Sequence, residues 1–207
     1  MSGVPYNTFT FDDLRRGLGL ELREEAGTFA AIKPVVISAL LRQTLDEGAP
    51  LAIATSTEKA RSELIVAPVL MEVRRQCGGR VGLFSGLEFS VDRDKGLTGF
   101  CDFLMTATTS QMDLRAPVLA VVEAKNDNIH GGVPQCVAEM YAAALFNARD
   151  EQPKRAIYGA VTTGSLWTFL KLDGATVTID LDEYYLREIE RVVGVLVHMI
   201  RGAAAPA

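Results

Sequence analysis

Residues Val118-Leu119-Ala120-Val121-Val122 are apolar without interruption, and they run directly into Glu123-Ala124-Lys125. An apolar stretch of this length that does not alternate suits a strand covered on both faces. The chain is therefore expected to build a sheet with helices on either side. A carboxylate and an ammonium ending such a strand are costly to bury without partners. Residues two apart in a strand share a face, so Glu123 and Lys125 should emerge side by side. The acid-x-Lys spacing alone carries little, because less than one occurrence is expected by chance in this composition. Its place at the end of the most apolar strand gives it weight.

The rest of the chain reads around that strand. The first fifty or so residues look helical. Asp12 and Asp13 open a short helix, and Val35, Val36, Ala39, Leu40 and Leu45 can share a face of a second one, stopped at Gly48-Ala49-Pro50. Ser56 or Thr57 can cap a third helix starting near Glu58. Leu64, Ile65, Val69, Leu70 and Val73 continue it at helical spacing, with Pro68 expected to kink or divide it and Gly78-Gly79 to end it. Strands are expected at 80–91, 97–108 and 117–125, with Asp92-Arg93-Asp94-Lys95-Gly96 as the turn between the first two. A loop at 126–132 and a helix at 134–149, with Pro134 in its first turn, should follow. Strands at 156–163 and 166–172, an edge strand at 175–179 and a helix at 182–201 complete the order, and the tail 202–207 is expected to fray. The expected class is α/β in the mixed α+β sense: one domain spanning 1–207, with a helical N-terminal extension (1–55), a core (56–182) and a C-terminal helix and tail (183–207).

Composition excludes several functions. Of 207 residues 48% are hydrophobic, too many for a disordered chain. No apolar run approaches the length of a membrane span, and Met1-Ser2-Gly3-Val4-Pro5 lacks the order of a signal peptide, so no membrane partner and a cytoplasmic location are expected. The net charge of −5 argues against a broad nonspecific nucleic-acid coat and leaves room for a local DNA-binding face. Cys77, Cys101 and Cys136 are far apart with no CxxC, which reads as buried reduced thiols. No phosphate loop ends in Gly-Lys-Ser/Thr, Gly17-Leu18-Gly19 lacks the third glycine of a dinucleotide fingerprint, and Gly82-Leu83-Phe84-Ser85-Gly86 has the wrong spacing for a nucleophile elbow. With only His130 and His198, one chain holds no multi-histidine metal site; His198 reads as structural. The Arg74, Arg75, Arg80 cluster and Arg93-Asp94-Lys95 read as solvated surface, Trp167 and Phe169 as sheet packing, and Tyr184-Tyr185 as anchors of the last helix.

Carboxylates and one lysine remain. Asp102 lies inside the apolar Gly99-Phe100-Cys101-Asp102-Phe103-Leu104, and if that strand pairs with 118–125, Asp102 and Glu123 converge. Two carboxylates repel unless a cation or a proton sits between them. Oxygen ligands with open water positions suit Mg²⁺ or Mn²⁺. The alternative for Asp102 is an internal salt bridge to Lys125.

With these residues in place the chain resembles the PD-(D/E)xK nuclease superfamily, restriction-endonuclease-like, over roughly 56–170. Ser56-Thr57-Glu58-Lys59-Ala60-Arg61-Ser62-Glu63 and the following Leu64–Leu70 look like its leading helix. Gly99-Phe100-Cys101-Asp102-Phe103 matches its Asp strand, with Cys101 rather than Pro before the acid. Val121-Val122-Glu123-Ala124-Lys125 matches its central motif, and Gln135-Cys136-Val137-Ala138-Glu139-Met140-Tyr141 its Gln-bearing helix. The resemblance implies a central mixed sheet flanked by helices and a metal-dependent nuclease acting on DNA, in defence or repair. It assigns Mg²⁺ (or Mn²⁺) to Asp102, Glu123, the Ala124 backbone carbonyl and Glu58, with Glu63 as the alternative to Glu58. Lys125 would orient the attacking water and offset charge in the transition state. Gln135 would bind phosphate or water, and Glu139 would extend the site. Cutting both strands would call for a homodimer. Two other functions stand beside this one. The first is an inactive member of the same fold that binds nucleic acid or an unidentified protein partner; the second is a hydrolase of a small phosphorylated molecule.

Overall fold

The structure, a computed structural model, describes residues 5–150 and 156–204. One mixed sheet of eight strands organises it, in the order β1-β7-β6-β5-β4-β3-β2, with β8 pairing β6. The strands are β1 (Glu21–Glu25), β2 (Gly82–Glu88), β3 (Phe100–Thr106), β4 (Val118–Ala124), β5 (Ile157–Thr162), β6 (Leu166–Asp173), β7 (Thr176–Asp180) and β8 (Tyr184–Tyr185). β4 runs parallel to β5 and antiparallel to β3, so it is central, and it is buried at every position as its apolar run requires.

Among the described residues five α-helices accompany the sheet: α1 (Ala39–Thr55), α2 (Glu58–Arg61), α3 (Ala67–Gln76), α4 (Ile129–Arg149) and α5 (Ile189–Ala204). The core divides in two. Leu45, Val69, Val73, Val193 and Leu196 from α1, α3 and α5 pack with Met105, Val122, Ala160 and Phe169. Val133, Val137 and Met140 from α4 pack with Leu104, Val121, Val161 and Leu170. The strand residues of the two sets alternate along each strand, which puts α4 on one face and α1, α3 and α5 on the other.

Several expectations are corrected. Residues 21–25 are not helical: β1 adds to the sheet parallel to β7, so 175–179 is not an edge. The short helix near Asp12 is a π-turn at Asp13–Gly17. Gly48-Ala49-Pro50 does not stop the second helix, which runs through to Thr55. Its buried residues are Leu41, Leu45, Gly48, Ala49 and Ala52, a helical stripe, whereas Val36 and Leu40 are exposed. Gly48 serves close approach: a Cβ there would stand 3.0 Å from the Leu64 carbonyl. That carbonyl is the one Pro68, four residues on, cannot serve. Pro68 does divide its helix: a π-turn at Ser62–Val66 joins α2 to α3. α4 starts at Ile129, capped by Asn128, whose Oδ1 accepts from Gly131 N at 2.8 Å. His130-Gly131-Gly132 is therefore helix rather than loop, and Pro134 lies one turn further in than expected. The last helix begins only at Ile189, because Tyr184 and Tyr185 pair with β6 first. It carries through Gly202 to Ala204, and the remainder of the expected frayed tail lies outside the described residues.

Two buried carboxylates tie the elements together. Glu72 on α3 accepts from Ser38 N (3.1 Å), Ser38 Oγ (2.7 Å) and Gln76 Nε2 (3.1 Å) and pairs with Arg75. Asp180 accepts from Tyr184 OH (2.8 Å), Asp182 N (3.1 Å) and Phe29 N (3.4 Å), fastening the segment after β1. All three cysteines are free, Cys101 and Cys136 buried and Cys77 half-buried. Among the described residues no helix is long and apolar enough to cross a membrane.

Candidate functional site

The β3–β4 ladder runs in register from Phe103↔Val122 to Met105↔Ala120, with a bulge before Thr106↔Val118. Beyond the Phe103↔Val122 pair the Ala124 N–H donates to Asp102 Oδ2 at 2.8 Å, so a side chain takes the place of the next backbone acceptor. Asp102 and Glu123 continue the rows of Leu104 and Val121, and so share the face covered by α4. On the other edge of β4, Lys125 N donates to Thr162 O at 2.8 Å, fixing the strand end against β5.

Glu123 is 2% exposed. Its Oε1 accepts from Lys125 Nζ at 2.6 Å, as the two-residue spacing predicts. Its Oε2 is buried without a partner. Lys125 Nζ also donates to Gln135 Oε1 at 3.0 Å, and Gln135 Nε2 donates to Glu139 Oε1 at 3.0 Å. Gln135 is thus a buried link between the lysine and a fully buried acid. Gly132 makes this possible. A Cβ there would stand 2.7 Å from Val161 Cγ1 and 3.0 Å from Lys125 Cγ, so the first turn of α4 comes close to Lys125 only with glycine at that position.

Glu58 occupies the first position of α2, where Thr57 Oγ1 accepts from Ala60 N at 3.2 Å and caps the turn. Glu58 is exposed, yet its charge acts on Asp102, Glu123 and Lys125. Glu63 instead pairs with Lys59 at 2.6 Å on the solvent side. Of the two candidate acids on the leading helix, Glu58 is the one that acts electrically on the cluster.

The acids are crowded. Burial, then the charges of Asp102 and Glu58, push Glu123 up to about 8 against the opposing pull of Lys125. Burial also raises Asp102, more than its bond from Ala124 lowers it. Burial raises Glu139 well above the carboxylate range, with the Glu123 charge adding to it. Burial alone would lower Lys125, but the charge and hydrogen bond of Glu123 and the charges of Glu58 and Asp102 outweigh it and raise its pKa. A held proton or a bound cation relieves this excess of negative charge.

Among the described residues, no group of three or more His, Cys, Asp or Glu side chains forms a ready metal cluster. The donors at the strand ends are all oxygen, and one of them, Glu123 Oε2, is buried and unpartnered; a hard divalent cation takes ligands of this kind.

Other candidates fall away from the cluster. His130 is exposed, its ring 5.0 Å from that of Phe11, and His198 is exposed on α5. Arg74 donates to Val81 O at 3.0 Å, whereas Arg75, paired with Glu72, and Arg80 are exposed, as expected of solvated surface. Trp167 and Phe169 are buried in the core as expected. Two neighbours escaped sequence reasoning. Gly132 carries no signal beyond being a glycine. Arg61, one turn after Glu58, donates to Thr163 O at 2.9 Å and Ser165 Oγ at 3.3 Å, tying the leading helix to the β5–β6 turn beside the Lys125 strand end. Its place at three residues from Glu58 was the available clue.

No protein-family model, curated protein or solved structure matches the chain.

Proposed function

We propose that the chain is a metal-dependent nuclease of the PD-(D/E)xK type, hydrolysing DNA phosphodiester bonds. The observation that carries this reading is the meeting, at one strand end, of Asp102, Glu123 and Lys125, with Gln135 behind the lysine. Asp102, Glu123, the Ala124 carbonyl and Glu58 would hold Mg²⁺ or Mn²⁺. A bound divalent cation would supply Lewis-acid activation of the phosphate and of a water.

The chain's own residues supply the rest. Lys125 brings a positive charge to a site dominated by acids, so an approaching phosphate meets at least one cation. Its ammonium is positioned by Glu123 and Gln135, which leaves its remaining N–H to orient a nucleophilic water or a phosphate oxygen. Arg61, on the Glu58 helix, supplies a second positive charge near the same edge of the sheet. An acidic chain with one catalytic cluster cuts one strand per site; cleavage of a duplex would use a homodimer.

A second reading has its own observation. No three-acid metal cluster is preformed among the described residues, which favours an inactive relative that binds nucleic acid or a protein partner, its charges serving as an internal network. Plasmid and oligonucleotide cleavage with Mg²⁺ or Mn²⁺ separates the two. Wild type is expected to cleave, with Lys125→Ala and Glu123→Ala at least about a hundredfold slower. Equal activity in all three proteins would sink the assignment to this site; DNA binding without cleavage would favour the second reading.

A further inference from the structure

An amide has nearly the same shape either way round, so its hydrogen-bond partners decide which end faces where. Lys125 has donors only and needs the oxygen of Gln135, which it reaches at 3.0 Å. That choice turns Gln135 Nε2 into the protein interior, where it needs an acceptor. Glu139 Oε1 is that acceptor, at 3.0 Å. Glu139 is 0% exposed, one helical turn beyond Gln135 on α4, and its Oε2 has no partner. It lies beside Val137 and Met140 of the apolar cluster and also interacts with the buried Cys101 thiol, whose bond leaves the contact to Gln135 as the link toward Lys125.

We infer that Glu139 is a positioning residue: it holds the Gln135 amide in one orientation and, through it, the Lys125 ammonium against Glu123. The consequence for cleavage rests on the nuclease reading above; the geometry does not. Burial favours the neutral form of Glu139, so glutamine can replace it and still offer a carbonyl oxygen to Gln135. Leucine offers none.

The test uses the full chain labelled with ¹⁵N-lysine. Hydrogen-bonded ammonium groups give a resolved ¹H–¹⁵N signal, and that of Lys125 is the one Lys125→Met removes. Glu139→Gln is expected to keep this signal and Glu139→Leu to lose it. In Mg²⁺-dependent plasmid cleavage, Glu139→Leu is expected to lower kcat about tenfold with KM unchanged, and Glu139→Gln to stay within about twofold of wild type. In a Gln135→Leu background, Glu139→Leu should add nothing, because its effect runs through that amide. An unaltered ammonium signal in Glu139→Leu, equal damage from Gln and Leu, or additive losses in the double variant would overturn the inference. If Glu139→Leu does not fold, Glu139→Met takes its place with the same expected loss of the ammonium signal, and retention of that signal in Glu139→Met or in Gln135→Leu overturns the relay. If wild type cleaves nothing, the nuclease reading fails, while the ammonium signals still decide the positioning.

Discussion

At the scale of single residues, Glu123 carries the sharpest consequence. It is neutral in both folded and unfolded chains below its ordinary pKa of 4.5, whereas between there and about 8 the unfolded chain loses a proton that the folded site keeps. Folding stability from this group is therefore full at low pH and is lost as pH rises through that window. Urea denaturation at pH 5 and pH 8 without divalent cations should give lower stability at pH 8, by a few kcal/mol at most. Glu123→Gln, which holds no titrating proton there, should remove part of that dependence, the remainder belonging to Asp102 and Glu139, which burial also raises; an unchanged slope would show that the proton is held elsewhere. Glu72 behaves in the opposite sense. Burial opposes its charge, but bonds from Ser38 and Gln76 and the Arg75 charge outweigh burial and lower its pKa. Its contribution is present above 4.5 and lost as pH falls through its depressed folded value. Glu72→Ala should cost about 1–3 kcal/mol at pH 7, because Ser38 and Arg75 lose a common partner, and the gap to wild type should narrow in acid.

At the scale of elements, the site depends on how closely α4 approaches β4 and β5. Gly132→Ala places a methyl group within 2.7 Å of Val161 Cγ1 and 3.0 Å of Lys125 Cγ. Helix or lysine must shift, at a cost of about 1–3 kcal/mol, and on the proposed nuclease reading cleavage should fall more than the loss of folded protein explains. Thermal denaturation paired with initial rates checks this; wild-type rates at wild-type stability would place the strain elsewhere. The elements themselves were legible to different degrees. The strands at 82–88, 100–106, 118–124 and 157–162 follow from their apolar runs and turn residues. Pro50 and Pro134 misled the reading of α1 and α4. Each is tolerated within its helix because the flanking turns pack firmly on the core, a tertiary effect that overrides a local penalty.

At the scale of the molecule, the segment from Tyr6 to Glu25 packs into the fold. Tyr6 is 1% exposed; its OH donates to Phe89 O at 2.7 Å, and its ring lies against Gly99, where a Cβ would stand 3.1 Å away. Leu14 and Leu20 are buried in the same cluster as α4, and β1 completes the sheet beside β7. Tyr6→Ala should cost about 3–5 kcal/mol, read as a lower denaturation midpoint in one unchanged cooperative transition. A separate early transition would mean that this segment unfolds on its own. Nothing local announced β1, whose sequence Glu21-Leu22-Arg23-Glu24-Glu25 is almost wholly polar. It is a strand because β7 offers a free edge, and its charges suit an outermost position.

By itself the sequence determined the central strand and its charged end. An apolar run has to be covered on both faces, and period-two geometry puts Glu123 beside Lys125 wherever that strand lies. Asp102 and Gln135 could be named as candidates, but only the pairing of β3 with β4 and the packing of α4 brought them to the same place. The tertiary structure also turned Glu63 toward Lys59, buried Glu139 behind Gln135 and gave Gly132 its purpose. Each of these depends on distances between segments far apart in the chain, which no local pattern encodes.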